Sequence, residues 1–265
     1  MHQVTQVTAT EFDRPEFLAA LNDFSRVFLA EGDSWFSFGS TKFRNILSTL
    51  TLPDPACVLN IAEPGDKLHR MNKTTANPEF FFNLRNKGGR RWSAILLSGG
   101  GNDLIDAIWN KQTQRSEILV QPSAPGSIDQ TNLRSVINDD ALDALFNFIK
   151  VNVAQIVAEG RDGADSNSKD VPLFMHTYAL AQPRNAPVRH FGQGPWLFPA
   201  CVWLGIDSAL WLDLSRLLSR ELAACLKSIE LPNFHVVDHF TLTTKLIQAA
   251  PGTNQNSNNW DKELH

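Results

Sequence analysis

The 265-residue chain has only three cysteines, Cys57, Cys201 and Cys225, odd in number and widely spaced. This rules out a disulfide framework and leaves no Cys-x-x-Cys pair for a metal. Its seven histidines form no His-x-His, His-Glu-x-x-His or Cys/His cluster, which argues against a metal hydrolase, and no cofactor is expected. Basic residues are not in excess. With 24 Lys and Arg against 28 Asp and Glu, the net charge is −4, the wrong sign for a nucleic-acid partner. No run reaches ~18 consecutive apolar residues, so no transmembrane segment is expected. The opening "MHQVTQVTATEFDRPEFLAALNDFSRVFLAE" lacks a basic stretch followed by a long apolar run, so it does not read as a cleaved secretory signal. A cytoplasmic protein, or one exported without a cleaved signal, is the expectation. The glycines at 99–101 are not Gly-x-Gly-x-x-Gly and carry no P-loop lysine, which leaves no nucleotide site.

What is present is an ordinary globular balance, 43% apolar and 20% charged residues, in a length that suits one large α/β domain. Five short apolar runs read as strands: "RVFLAE" (26–31), "ACVLNIA" (56–62), "WSAILLS" (92–98), "VPLFMHTY" (171–178) and "NFHVVDHF" (233–240). The middle three are apolar throughout, as in strands buried on both faces of a parallel sheet. Helical patterns lie between them. In 139–160, Leu142, Leu145, Phe146, Ile149, Val153, Ile156 and Val157 recur at helical spacing, with Gly160 as a left-handed stop. A second helix spans 207–229, with Asp207 or Ser208 as its cap. Strands alternating with helices predict a mostly parallel sheet with helices packed on it, in one of a few doubly wound orders. The whole chain, 1–265, reads as a single domain with an N-terminal extension over 1–25. The Gly/Asp/Ser-rich stretch 160–170 reads as a solvated loop, not a calcium loop, because its acidic residues miss the alternate-position spacing.

In such a sheet ligands bind beyond the carboxyl ends of the strands. The first run is followed by Gly32-Asp33-Ser34-Trp35, the second by "EPGD" with Gly65, and the third by "GGGND" with Asn102. Ser34 reads as a helix cap or as a hydroxyl nucleophile exposed by a tight turn. Its own N–H, a backbone N–H at Gly65 and the Asn102 side-chain amide would then converge as oxyanion donors. Asp33 is expected to brace the turn by local hydrogen bonds.

These blocks resemble the SGNH (GDSL-type) hydrolases: "FLAEGDSWF" is similar to their nucleophile block, "NIAEPGD" to their glycine block and "LLSGGGNDL" to their Gly-x-Asn-Asp block. The resemblance covers 26–265 and extends to "MHTYALAQPRNAPVRHFGQGPWLFPA" (175–200), which is similar to an insertion of one bacterial branch. It implies a three-layer α/β/α, flavodoxin-like fold around a mostly parallel five-stranded sheet, with 179–205 as an insertion near the site. It also implies a Ser34 nucleophile and an oxyanion hole formed by Ser34, Gly65 and Asn102. The family's fourth block is a C-terminal histidine with an aspartate three residues earlier. Here "NNWDKELH" offers His265 with Lys262 in the aspartate's place; Asp261, four residues before the histidine, and Glu263, two before, could each reach its imidazole within one turn, and Asp261 is the chosen orienting acid. Asp238, or a backbone carbonyl, is an alternative. Because a base at a chain end is exposed to fraying, a natural chain continuing past His265 is an expectation.

The activity implied is hydrolysis of a carboxylic ester, with a small-molecule, lipid or carbohydrate ester as substrate. The alternatives are a phospholipase or lipase of the same class, or a catalytically inactive ligand-binding module on this scaffold. His176 reads equally as a pocket-lining residue and as a hydrogen-bonded core histidine. Trp196 is a candidate pocket wall. His235 and His239 flank Asp238 and read as structural or solvent-facing.

Overall fold

The computed structural model describes residues 1–37, 45–124, 126–181, 183, 185 and 195–243. Eight strands occur among them: β1 (His2–Gln3), β2 (Thr5–Val7), β3 (Arg26–Gly32), β4 (Thr51–Leu52), β5 (Ala56–Asn60), β6 (Ala94–Ser98), β7 (Leu173–His176) and β8 (Phe234–Val237). β1 and β4 form a small antiparallel pair. The other six make one sheet in the order β2-β5-β3-β6-β7-β8, parallel at every pairing.

The five expected strands are therefore present, and the fold is α/β as the sequence implies. The sheet has six strands, not five, because the N-terminal extension contributes β2. Thr5, Gln6 and Val7 pair with Cys57, Val58 and Leu59 and close the edge that β5 would otherwise leave open. From β3 the chain steps outward to β5, then returns across β3 to β6. The order thus reverses beside β3, which puts the switch point at the carboxyl ends of β3 and β6.

Contacts divide the chain into two compact units. The first comprises Met1–Asn102, Ile149–His176 and Ile229–Val237, and holds both sheets. Alternation along β3 sends Phe28 and Ala30 to one face, where they pack with Phe36, Leu47, Val58 and Ala94. Leu29, Leu59, Ile95 and Leu97 are also buried, and the helix Pro78–Leu84 packs against β3. Strands covered on both faces explain why these runs are apolar without alternation.

The second unit comprises Asp103–Phe148, Thr177–Ser228 and Asp238–His265. Its longest helix, Trp211–Lys227, is preceded by a 3-10 turn that Asp207 caps by accepting the Ala209 N–H at 2.8 Å. The expected pattern over 139–160 forms an α-helix, Asp139–Gln155, that continues as a π-helical turn, Ile156–Arg161. By length and composition alone, Asp139–Arg161 is long and apolar enough to cross a membrane; its Ile149, Val153, Ile156 and Val157 are buried.

Two local expectations need correction. Gly160 is not a left-handed stop. It is glycine because a Cβ there would lie 2.1 Å from Leu84 Cδ2. Nor is 160–170 simply a solvated loop. Arg161 is the largest fully buried side chain in the described structure. Its guanidinium grips the Asp162 carboxylate at 2.7 and 2.6 Å and donates to the carbonyls of Val171 at 3.4 Å and Asn233 at 3.2 Å, tying the helix end to the starts of β7 and β8.

Candidate active site

Three neighbouring strand ends build the site, all within the first unit. β3 ends at Gly32, paired in register with Ser98 of β6. A Cβ at position 32 would stand 2.6 Å from both Ser98 Cβ and the Ser98 carbonyl oxygen, so only glycine permits this approach. Asp33 follows and caps the short helix Ser34–Ser37. Its Oδ1 accepts the Trp35 N–H and its carbonyl accepts the Ser37 N–H, each at 3.0 Å. Asp33 thus braces the turn as expected, and it takes the capping role that the sequence alone also allowed Ser34. Ser34 is left at the first helical position, half-buried.

The segment after β5 is strapped along the end of β3. Ile61 N–H donates to the Ala30 carbonyl at 3.0 Å and Glu63 N–H to the Gly32 carbonyl at 2.9 Å. Gly65 then adopts φ +80°, the left-handed region that favours glycine, with nothing within 4 Å of the place a Cβ would occupy. After β6, the glycines lead into the helix Gly101–Ile108, with Asn102 in its first turn. Asn102 Nδ2 donates to the Asp66 carbonyl at 3.0 Å. The carboxamide therefore sits on the Gly65–Asp66 turn. It has two N–H bonds, and this contact uses one.

Behind the turn is a buried polar chain. Ser98 Oγ–H donates to Asp33 Oδ1 at 2.7 Å, and His176 Nε2 lies 2.8 Å from Ser98 Oγ. His176 is 4% exposed, with ring centroids 5.9 Å from Trp35 and 5.4 Å from Phe36. His176 is thus buried and hydrogen-bonded at the end of β7. Phe36, two residues after Ser34, packs in the core.

Carboxylates dominate the local electrostatics. Glu31, the last side chain before Gly32, is fully buried. Its Oε1 accepts the Gly32 N–H at 3.1 Å, while Oε2 has no hydrogen-bond partner among the described residues. Burial pushes its carboxyl well above the usual range; the Asn77 side chain pulls it back, and nearby Asp66 adds to the rise. Burial also raises Asp66, against the Lys67 N–H and the Arg70 guanidinium. Arg70 reaches Glu63 at 2.5 Å and Asp66 at 3.5 Å. Among the described residues no group of three or more His, Cys, Asp or Glu could hold a metal.

His265 and Asp261 lie outside the described residues. Asp238, the alternative acid, belongs to the second unit. Its oxygens are engaged by Lys227 Nζ at 2.7 Å, Thr241 N–H at 2.9 Å and Thr241 Oγ1 at 2.7 Å. Burial would raise its carboxyl, but these partners outweigh it and hold the group well below the ordinary range. Trp196, also in the second unit, is half-buried with the Lys111 ammonium 5.7 Å from its ring centroid. His235 is exposed beside Phe174, at 5.0 Å between centroids. Sequence reasoning missed Glu31 and Ser98. The available signal for each was a polar residue closing an otherwise apolar run.

No family model and no curated protein matches the chain. Among solved structures it is similar to a lipase, Lip_vut3, from goat rumen metagenome, at 13% identity over 82% of each chain with TM-score 0.45. It is also similar to the acetylxylan esterase Axe2 from Geobacillus stearothermophilus, at 11% identity over 91% of this chain and 87% of that one, TM-score 0.40. A third is a GDSL-like lipase from Parabacteroides merdae, at 11% identity over 92% and 89% of the two chains, TM-score 0.35. These three proteins are esterases and lipases, and likeness at this level assigns no residue a role.

Proposed function

We propose that the chain is a serine ester hydrolase acting through an acyl-enzyme. Ser34 Oγ attacks the ester carbonyl while His265 takes its proton. The negative charge that develops on the carbonyl oxygen is met by the Ser34 N–H, the Gly65 N–H and the second Nδ2–H of Asn102. Preorganised donors of this kind contribute about 3–4 kcal/mol each to the transition state. Collapse of the tetrahedral intermediate breaks the C–O bond, and His265 returns its proton to the departing alcohol. Water, deprotonated by the same histidine, then attacks the acyl-serine and releases the acid. Asp261 orients His265 in this scheme.

One observation carries the reading: Asn102 Nδ2 donates to the carbonyl of Asp66, beside left-handed Gly65, on a segment strapped to the Gly32 carbonyl two residues before Ser34. Three short sequence blocks, separate in the chain, thereby become one polar edge at the switch point of the sheet. A fluorophosphonate probe followed by intact mass tests the proposal. A single adduct on the folded protein, absent in Ser34→Ala, is expected, with Ser34-dependent release of nitrophenol from nitrophenyl acetate. A folded protein that takes no adduct would overturn it.

A further inference from the structure

We infer that His176 and Ser98 form a buried strut that aims the nucleophile turn, making both of them positioning residues for the reaction of Ser34; the inference rests on the serine-hydrolase reading above. The chain of contacts is His176 Nε2 to Ser98 Oγ at 2.8 Å and Ser98 Oγ to Asp33 Oδ1 at 2.7 Å. These residues stand at the end of β7, at the end of β6 and one past the end of β3. The strut therefore crosses three strand ends and stops at the residue before the nucleophile.

Its polarity follows from the donor inventory. Ser98 Oγ–H donates to Asp33 Oδ1, and a hydroxyl has only one proton to give. The Ser98 oxygen then faces His176 as an acceptor, and Nε2 carries a proton. Asp33 Oδ1 also accepts the Trp35 N–H at 3.0 Å. Ser98 thus sets from behind the carboxylate that sets the first turn of the Ser34 helix. His176 contributes a second time, because its ring packs against Trp35 and Phe36, the two residues following Ser34. Asp33, Ser98 and His176 are 1%, 0% and 4% exposed. In such surroundings each link is strong and a broken one is costly.

Slack at the joint is small. The Ser98 backbone runs so close to Gly32 that even a methyl group would not fit between them. Ser98 Oγ consequently has a fixed origin, and a change in the strut passes to the Asp33 carboxylate.

The test uses Ser98→Ala, His176→Leu and His176→Gln, the last keeping an N–H donor. Fluorophosphonate labelling of Ser34 and nitrophenyl acetate turnover are measured, with circular dichroism confirming the fold. Ser98→Ala and His176→Leu should slow labelling and lower kcat by about 10–100-fold, as sub-ångström to ångström misplacement of a reacting group does, with KM nearly unchanged. His176→Gln should recover most of the rate. A second measurement needs no variant: ring 15N spectra of the wild-type protein should show a slowly exchanging Nε2 proton on His176. A folded Ser98→Ala labelled at the wild-type rate, or a wild-type His176 without that proton, would overturn the inference. A wild-type protein that takes no probe would instead overturn the serine-hydrolase reading, so the two failures are distinguishable.

Discussion

Gly32→Ala is the most discriminating perturbation of the site. The new Cβ would meet Ser98 Cβ and O at 2.6 Å and Ser98 N at 2.8 Å. These are backbone and near-backbone atoms in the register partner, so no rotamer change relieves the clash. Ordinary van der Waals contact begins at 3.4 Å, so β3 and β6 would have to part by close to an ångström at their carboxyl ends. Overpacking of this kind costs about 1–3 kcal/mol, or roughly 2–10 °C in Tm for a chain of this size. The same shift would carry Ser98 away from Asp33 and move the Ser34 turn, and a 1 Å misplacement costs about 100-fold in rate. Gly89→Ala is the control. Gly89 has φ +67°, with nothing within 4 Å of a Cβ position, and it lies in the turn leading into the opposite end of β6. Its left-handed backbone makes alanine cost about 1–2 kcal/mol without any clash. Thermal unfolding and kcat/KM on nitrophenyl acetate compare the two. Similar losses of Tm, with a large loss of activity only in Gly32→Ala, are expected. If folded Gly32→Ala kept the kcat/KM of Gly89→Ala, the close approach would have no bearing on catalysis and the reasoning would be refuted.

Three further expectations follow from the same geometry. Asn102→Ala should lower kcat by about 100–1,000-fold through loss of an oxyanion donor, with little change in KM; a drop under tenfold in steady-state assays would remove Asn102 from that role. Glu31, whose carboxyl is raised by burial, holds in the folded protein a proton that the unfolded chain releases above its ordinary value of about 4.3. Its contribution to stability therefore declines as pH rises from that value through the higher folded one. Glu31→Gln, compared with wild type in urea melts, should gain stability at pH 8 relative to pH 5, on the order of 1 kcal/mol, and a gain independent of pH would contradict the assignment. Arg161→Met removes a fully buried guanidinium bound to Asp162 and two carbonyls; urea unfolding should show a loss of about 2–4 kcal/mol, and a loss under about 1 kcal/mol would mean these contacts add little.

β5, β6 and β7 were legible because burial on both faces requires continuous apolar runs, and β3 and β8 were legible as short runs rich in strand-forming residues, all of them local patterns. β2 was not, because "TQV" has no strand signature of its own and forms only where the β5 edge offers hydrogen bonds. The Gly32–Trp35, Gly65 and Asn102 blocks were legible as contiguous motifs after strands, and the structure places each of them at a strand end. Ser98 was hidden because its role depends on register: it matters by standing opposite Gly32 in a strand more than sixty residues away. Glu31 looked like the polar end of a strand, yet coverage of both sheet faces buries it. Arg161 sat in a composition that reads as a solvated loop, since the carbonyls it binds belong to distant strand entries.

The order Gly-Asp-Ser at 32–34 assigns three physical tasks to three adjacent residues. Gly32 supplies the absence of a Cβ, letting β3 and β6 approach at the switch point. Asp33 turns inward, buried, and accepts both Ser98 Oγ–H and Trp35 N–H on one oxygen. Because it caps the helix, the hydroxyl of Ser34 has no capping duty. That separation matters chemically, since a hydroxyl committed to a backbone N–H would have to break the contact before attacking. The observed bonds give the buried Asp33 carboxyl its structural duty and leave the half-buried Ser34 outside it, which is what the proposed attack by its hydroxyl needs.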